Sequence, residues 1–361
     1  MNKTIVFILT TLDAHAIHRV NDFVAHGFEV QVNTFVRVNA KQSIDTNWPV
    51  NVIGEFPNAM PYHQRIKLII RGIRQVAHQY KGRKDVVFYY LGLDIAMFAT
   101  ELVRYPYIFE ECDLNHTYIG NKMVRKVMEW IDCRIIRKSL QTIFTSEGFF
   151  QYHQLSKTDN ITLIPNKLPA SIKSIHMVEK RPTDVGHLSF GFAGDVRYEN
   201  IVSFAKILVS SFPMHEFHFF GTIQERVKPF VAELEQFPNC HFHGRFRSPN
   251  DLPKIYSQLD FTLATYDTRF ENVRYAEPNK IYEAVYFRTP IVVSKGTFLE
   301  EKCKKLGIGC AVNALNEKDV VEFVKGLTRA KVDEMYASVA EVPQEYAIDY
   351  NDDFFDKLKS L

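Results

Sequence analysis

A chain of 361 residues that is 46% hydrophobic can bury two cores, and a formal net charge of +2 gives no nucleic-acid footprint. Its five cysteines, at 112, 133, 240, 303 and 310, make no CxxC pair and no even framework, which fits reduced thiols and gives no structural zinc signature. The apolar run at 5–9 is too short for a signal-peptide core or a membrane span, so a cytoplasmic location is expected.

In chain order, strand-like runs are expected at 5–9, 30–34, 86–90, 107–109, 142–145 and 161–164, and Ile17, Val20, Phe23 and Val24 give a helical stripe closed by Gly27. The following stretch is rich in Pro, Lys and Ser and reads as a linker, giving a first domain at 1–168, a linker at 169–187 and a second domain at 188–344. Strand-like runs resume at 188–192, 216–220, 240–243, 261–264, 290–293 and 309–312, with helical patterns between them. Thr297 with Glu300 fits a capping box, and Gly307 fits a helix stop. The fold class predicted is α/β, with two doubly wound domains.

The run Glu277-Pro278-Asn279-Lys280-Ile281-Tyr282-Glu283-Ala284 stands just before the strand at 290–293. Proline suits the first helical position, so Pro278 is expected to open a helix whose free amides, at Asn279 and Lys280, would hold a phosphate. Glu283, about a turn deeper, can accept hydrogen bonds from the two hydroxyls of a ribose. A capped amphipathic helix with Glu283 in solvent is the alternative on this segment alone.

Gly191-Phe192-Ala193-Gly194 with Arg197-Tyr198, Phe219-Phe220-Gly221, Phe242-His243-Gly244, Asp260, Pro278 to Glu283, and Pro290-Ile291-Val292 with Gly307 and Gly309 stand in a telling order. In the first half, Ser146-Glu147 and Ile164-Pro165-Asn166 agree. Along nearly its whole length the chain resembles the retaining GT-B glycosyltransferases of the large family-four type. The resemblance implies two Rossmann-like domains facing across a cleft, a nucleotide sugar held by the second domain and an acceptor by the first. It also implies a final helix at 345–361 packing back on the first domain, and neither a cofactor nor an essential metal. The sequence has no dense Asp cluster to chelate magnesium through a diphosphate, so Arg197 and Lys280 are the candidates for meeting charge on the leaving group. Pro278, Asn279, Glu283 and Gly194 are donor-site candidates, with base recognition expected around 240–246, ending at Phe246.

The chain departs from the family pattern in two places. Many relatives carry a second glutamate eight positions before the ribose glutamate, where Tyr275 stands here; Glu277 is close but out of register, and Asn272 lies in the same loop. The basic residue often found right after the glycine is Asp195 here, with Arg197 two further on.

In the first domain, Asp13, His15, His18 and Arg19 follow the first strand, where doubly wound folds place ligands, and Arg19 matches a basic residue common in relatives. The run Glu110 to His116 follows the strand ending at Phe109; within it Asp113 and His116 are candidates to orient an acceptor hydroxyl, with a solvated acidic loop as the alternative.

Residues 1–180 carry 22 Lys and Arg against 16 Asp and Glu, and residues 181–361 carry 22 against 26, so the acceptor half is the basic one. There Met123, Val127, Ile131 and Ile135 form one helical stripe flanked by Lys122, Arg125, Lys126 and Arg137, and Arg65, Lys67, Arg71 and Arg74 form a second basic stretch. This face is expected either to be a core stripe with a solvated rim or to meet anionic lipid, placing the protein peripherally on the inner membrane face. The function expected is transfer of a hexose-type sugar from a nucleotide sugar to a glycan or lipid-linked glycan in bacterial surface polysaccharide synthesis. A nucleotide-sugar epimerase of the same architecture and a catalytically silent nucleotide-sugar-binding subunit are the alternatives. No nucleic-acid partner is expected.

Overall fold

The apolar runs of both halves become parallel strands because each is hydrophobic on both faces and leads into a crossover helix. The computed structural model describes residues 3–37, 46–57, 60–155 and 158–361. The chain forms two compact units, Met1–Ile164 with Asn351–Leu361, and Pro165–Tyr350.

In the first unit, β1 (Thr4–Leu9), β2 (Glu29–Arg37), β3 (Val50–Phe56), β4 (Val86–Leu91), β5 (Tyr107–Glu111), β6 (Gln141–Phe144) and β7 (Ile161–Leu163) stand in the order β3-β2-β1-β4-β5-β6-β7, all parallel. The order reverses between β1 and β4, where doubly wound sheets bind ligands. Strand β3 is an addition to the sequence reading. Pro49 before it and Gly54 inside it weigh against a strand, yet both are tolerated at an edge, and the Phe35 ring packs 2.9 Å from where a Cβ on Gly54 would stand. The closing helix, Asp352–Ser360, inserts Phe354, Phe355 and Leu358 into this unit's core, with Phe355 edge-on to Phe23 at 5.0 Å. Each such buried side chain stabilises by about 1.5–3 kcal/mol.

The second unit contains β8 (Leu168–Pro169), β9 (Ser189–Ala193), β10 (Glu216–Phe220), β11 (Cys240–Gly244), β12 (Phe261–Ala264), β13 (Ile291–Ser294), β14 (Gly309–Val312) and β15 (Ile348–Asp349). Six of these form a parallel sheet in the order β11-β10-β9-β12-β13-β14, and β8 pairs with β15. Side chains alternate across the sheet: Phe190, Phe192, Phe217, Phe219 and Leu263 face one core, while Ala193, Phe220, Ala264 and Val293 face the other. Thr297 caps the helix Phe298–Leu306, accepting from Glu300 N at 3.1 Å, and Gly307 ends it in the left-handed conformation.

The expected linker, 169–187, is not a free connector. Arg181 donates to the buried Asp260 carboxylate at 2.8 Å, and Lys180 donates to Thr289 Oγ1 at 2.9 Å. Burial pushes the Lys180 ammonium down to about 7, with Asp260 opposing the shift. The chain therefore crosses between units after Ile164 and again after Tyr350, so 345–350 stays with the second unit and Asn351–Leu361 joins the first.

Candidate functional site

At the carboxyl edge of the second sheet, three neighbouring strands end in glycines. Gly194 after β9 donates to Phe220 O (2.7 Å), and Gly221 after β10 donates to Gly244 O at the end of β11 (2.6 Å). Gly221 has φ 127°, and a Cβ there would stand 2.0 Å from Gly194 O, so no other residue fits without moving the backbone. The strand ends thus pack backbone to backbone beside the switch point between β9 and β12.

The helix Lys280–Tyr286 brings the charged groups to this edge. Asn279, with φ −54° and ψ −20°, is its cap: Tyr282 N and Glu283 N both donate to Asn279 O at 3.0 Å. Pro278 therefore stands one residue ahead of the cap and not at the first helical position. Glu283 is buried and receives Lys280 Nζ at 2.9 and 3.0 Å, Asn279 Nδ2 at 2.6 Å and the Tyr256 hydroxyl at 2.6 Å. A Cβ on Gly194 would lie 3.9 Å from Lys280 Cε, so the lysine stem reaches toward the end of β9. The structure thus brings Gly194, Asn279, Lys280 and Glu283 together, but with the ammonium paired to the carboxylate and neither in solvent.

Glu277 belongs to a different cluster. Its carboxylate accepts from the Tyr282 hydroxyl and from Lys302, whose charge is opposed by burial and upheld by Glu277, with a raised pKa as the net result. Asn272 is buried and Tyr275 half-buried in the short helix Glu271–Tyr275, and Phe246 is half-buried against the core two residues past Gly244. Arg197 is exposed, with its guanidinium 5.5 Å from the Tyr198 ring centre, and Arg226 lies 5.4 Å from the same ring. Asp267 is gripped by Arg269 through bonds of 2.7–3.0 Å, and this pairing holds its carboxyl below the usual range.

Sequence reasoning missed Tyr256, Lys302 and Arg226. The Lys280–Glu283 pairing had a local signal, the i,i+3 spacing on a helix. Tyr256 lies 27 residues from Glu283 and meets it only through the strand order.

In the first unit, the expected acceptor residues are placed unevenly. Asp13 is exposed and caps the helix Ala14–Ala25, accepting from Ala16 N at 2.9 Å. His15 is half-buried, its Nε2 2.9 Å from Glu110 Oε1, and His18 lies 3.6 Å from Asp22 on the same helix. Arg19 is placed differently from its neighbours. Its guanidinium is buried, binding Glu110 through Nε and Nη2 and Asp22 through Nη1, so it braces the core.

The run after Phe109 is also corrected. Glu110 and Glu111 extend β5 and are fully buried, so neither belongs to a solvated loop. Burial works against the Glu110 charge, but Arg19 and His15 outweigh it and hold the carboxyl far below its usual range. Glu111 pairs with His153 at 2.9 Å; burial opposes the imidazolium there and Glu111 favours it, with a raised His153 pKa as the result. His116 is fully buried, its Nδ1 3.1 Å from Asp132 and its Nε2 3.3 Å from the Tyr152 hydroxyl, while Asp113 is exposed. Asp113 is thus open to solvent, whereas His116 is enclosed between Asp132 and Tyr152.

The helix Lys122–Lys138 also departs from its expected stripe. It buries Asp132, Ile135 and Ile136 and leaves Met123 80%, Val127 56% and Trp130 60% exposed. On the helix Tyr62–Gln79, Lys67, Arg71 and Arg74 are exposed. Among the described residues no helix is long and apolar enough to cross a membrane.

No family model matches the chain. The succinoglycan biosynthesis protein ExoL of Rhizobium meliloti is 23% identical over 310 residues, spanning 78% of this chain and 72% of that one. Among solved structures, Anabaena HepE in complex with UDP-glucose is similar over 100% of both chains, with TM-score 0.70 and 16% identity. Sucrose-phosphate synthase from Thermosynechococcus elongatus is similar over 99% of this chain and 98% of that one, with TM-score 0.72 and 12% identity. These likenesses show the fold: the chain has the GT-B glycosyltransferase architecture of two Rossmann-like units.

Proposed function

We propose that this protein is a retaining glycosyltransferase that moves a hexose-type residue from a nucleotide diphosphate sugar to a glycan or lipid-linked glycan acceptor, in the building of a bacterial surface polysaccharide. The observation that carries the reading is the buried Lys280–Glu283 pair beside the Gly194 turn. A carboxylate has about four acceptor positions, and Lys280 covers two of the Glu283 contacts. When the ammonium moves to a diphosphate, those positions open to the ribose hydroxyls. The lysine keeps an anionic partner throughout, and Glu283 is then held by Asn279, Tyr256 and the ribose hydroxyls.

On the diphosphate, Lys280 and the exposed Arg197 would meet the charge that grows on the leaving group. Glu283, Glu277 and Asp267 each hold a cationic partner already, which favours neutralisation by side chains over a chelated divalent ion. HepE, solved with UDP-glucose, supports UDP as the first nucleotide to try, and the name of ExoL supports the polysaccharide setting. One observation favours a second reading, a silent nucleotide-sugar-binding subunit: Tyr275 stands in place of the relatives' first glutamate, and Glu277 is tied to Lys302.

Melting the protein with UDP, GDP, ADP and CMP, each with and without EDTA, tests the donor site. One nucleotide at a hundred times its dissociation constant is expected to add about 2.7 kcal/mol regardless of EDTA. No response at millimolar concentration would remove the donor-site reading. Release of free sugar or its transfer to an acceptor then separates the enzyme from the silent subunit.

The exposed Met123, Val127 and Trp130, with the exposed Lys122, Lys126 and Arg137 on the same helix, fit an anionic membrane surface that presents the acceptor. Flotation with anionic vesicles is expected to recover the protein, and Trp130→Glu with Met123→Glu to release it. Equal recovery on neutral and anionic vesicles would sink the membrane assignment.

A further inference from the structure

Strands β10 and β11 carry a cluster of side chains that the donor site does not use. The register pairs His218 with His241 directly across the two strands, and Glu216, two residues before His218, shares its face. His218 Nε2 lies 3.4 Å from Glu216 Oε2, and His241 Nε2 lies 3.6 Å from Glu216 Oε1. His187, just ahead of β9, places its Nε2 3.5 Å from Glu216 Oε1.

Both Nε2 atoms are buried and neither has a hydrogen-bond partner, and His218 as a residue is only 8% exposed. Nitrogens facing a carboxylate beyond hydrogen-bond alignment have lost water without replacing it, a costly arrangement unless something occupies the space between them. The ligand atoms of Glu216, His218 and His241 all lie within 4.8 Å of one another. Tetrahedral zinc bonds of about 2.0–2.2 Å correspond to ligand separations of about 3.3–3.6 Å, and His218 and His241 stand 3.4 and 3.6 Å from the two oxygens of Glu216.

A fourth histidine stands behind His218. His218 Nδ1 lies 3.0 Å from His243 Nε2. With Nδ1 donating in that bond, His218 Nε2 is left as a lone pair aimed at Glu216, the arrangement of a metal-ligating imidazole held from behind.

We infer that Glu216, His218 and His241 form a site for a zinc-class divalent ion, with His243 behind His218 and the fourth position left to water. A carboxylate with imidazoles is a donor set that zinc accepts. Glu216 opens β10, His218 is its middle residue and His241 is the second residue of β11, so the ligands do not come from the strand ends at Gly221 and Gly244. The ion therefore clips the edge strand β11 to β10 and does not act on the donor diphosphate.

The test uses the full chain, stripped with EDTA and desalted, then titrated with zinc against a chromophoric chelator while melting is followed in parallel. One equivalent is expected to bind with submicromolar affinity and to raise the midpoint by about 5 °C. Cobalt in its place should give the visible absorption of a tetrahedral ion. Glu216→Gln and His241→Ala should each weaken zinc binding at least 10-fold, and His243→Phe should weaken it by roughly 10–100-fold. His241 is 34% exposed on an edge strand, so its variant tests the site without unmaking the core. Affinity no tighter than about 10 µM, or zinc held equally by these variants, would overturn the site; in the second case a cluster such as His15, Glu110 and Cys112 would be the holder.

Discussion

Glu283→Gln is expected to abolish the nucleotide-dependent rise in melting temperature and to cut sugar transfer by roughly 100-fold, about 2–3 kcal/mol of lost donor stabilisation. Glutamine keeps the shape: its carbonyl oxygen can still accept from Asn279, and its amide can donate to the Tyr256 hydroxyl, the two groups that hold the carboxylate oxygens at 2.6 Å, so the helix Lys280–Tyr286 stays in place. What the substitution removes is the negative charge. Lys280 then loses its anionic partner, and the two ribose hydroxyls meet an amide that can accept at one atom only. Glu283→Ala should do the same to transfer but should also lower stability, because it leaves a buried ammonium unpaired. A glutamine variant that transfers normally would show that this carboxylate only anchors the helix. Donor binding lost together with the fold would leave the charge itself undecided, so the melting curve without nucleotide is the control that must stay unchanged.

The strands were legible in the sequence because their signals are local. Apolar runs at regular spacing fix β1, β2, β4 to β7 and β9 to β14 to within a residue or three, and Thr297 and Gly307 end a helix by chemistry confined to a single turn. Strand β3 was hidden because an edge position tolerates the Pro49 and Gly54 that argue against a strand elsewhere. The helix Lys122–Lys138 shows a different limit. Its periodicity is readable, but periodicity does not say which face is buried, and here the buried face includes a polar residue. Asp132 can face inward because His116 pairs with it, so Met123 and Val127 are left outside.

The polar clusters were least legible. Glu110 meets Arg19 across 91 residues and Glu111 meets His153 across 42, and only the strand order brings them together. The donor site was partly readable because Asn279, Lys280 and Glu283 lie within five residues, whereas the acceptor side depends on contacts that no spacing reports.

Arg19→Met and Glu110→Ala are each expected to destabilise the first unit by about 3–5 kcal/mol, because each leaves a charge buried without its counterpart. Arg19 is 2% and Glu110 0% exposed in their side chains, and the Tyr89 hydroxyl and His15 also donate to this carboxylate. For a unit of this size that loss corresponds to a fall in midpoint of roughly 10 °C. The double variant Arg19→Met with Glu110→Met should recover much of it, since two apolar side chains replace two charges; the size of the recovery measures the coupling.

The pH dependence follows from the same pair. Glu110 is held well below its ordinary range in the folded state, so its contribution is fully present above the unfolded value of about 4.3 and is lost as pH falls toward the folded value. The stability gap between the parent and Glu110→Gln should therefore be widest near neutrality and should close in acid. Arg19→Lys separates bracing from ligand binding. A lysine cannot reproduce the two-pronged grip of Nε and Nη2 on Glu110, so melting should fall while the KM for the nucleotide sugar stays constant. A KM that rises with an unchanged midpoint would instead assign Arg19 to the ligand-binding cleft that its position after β1 first suggests.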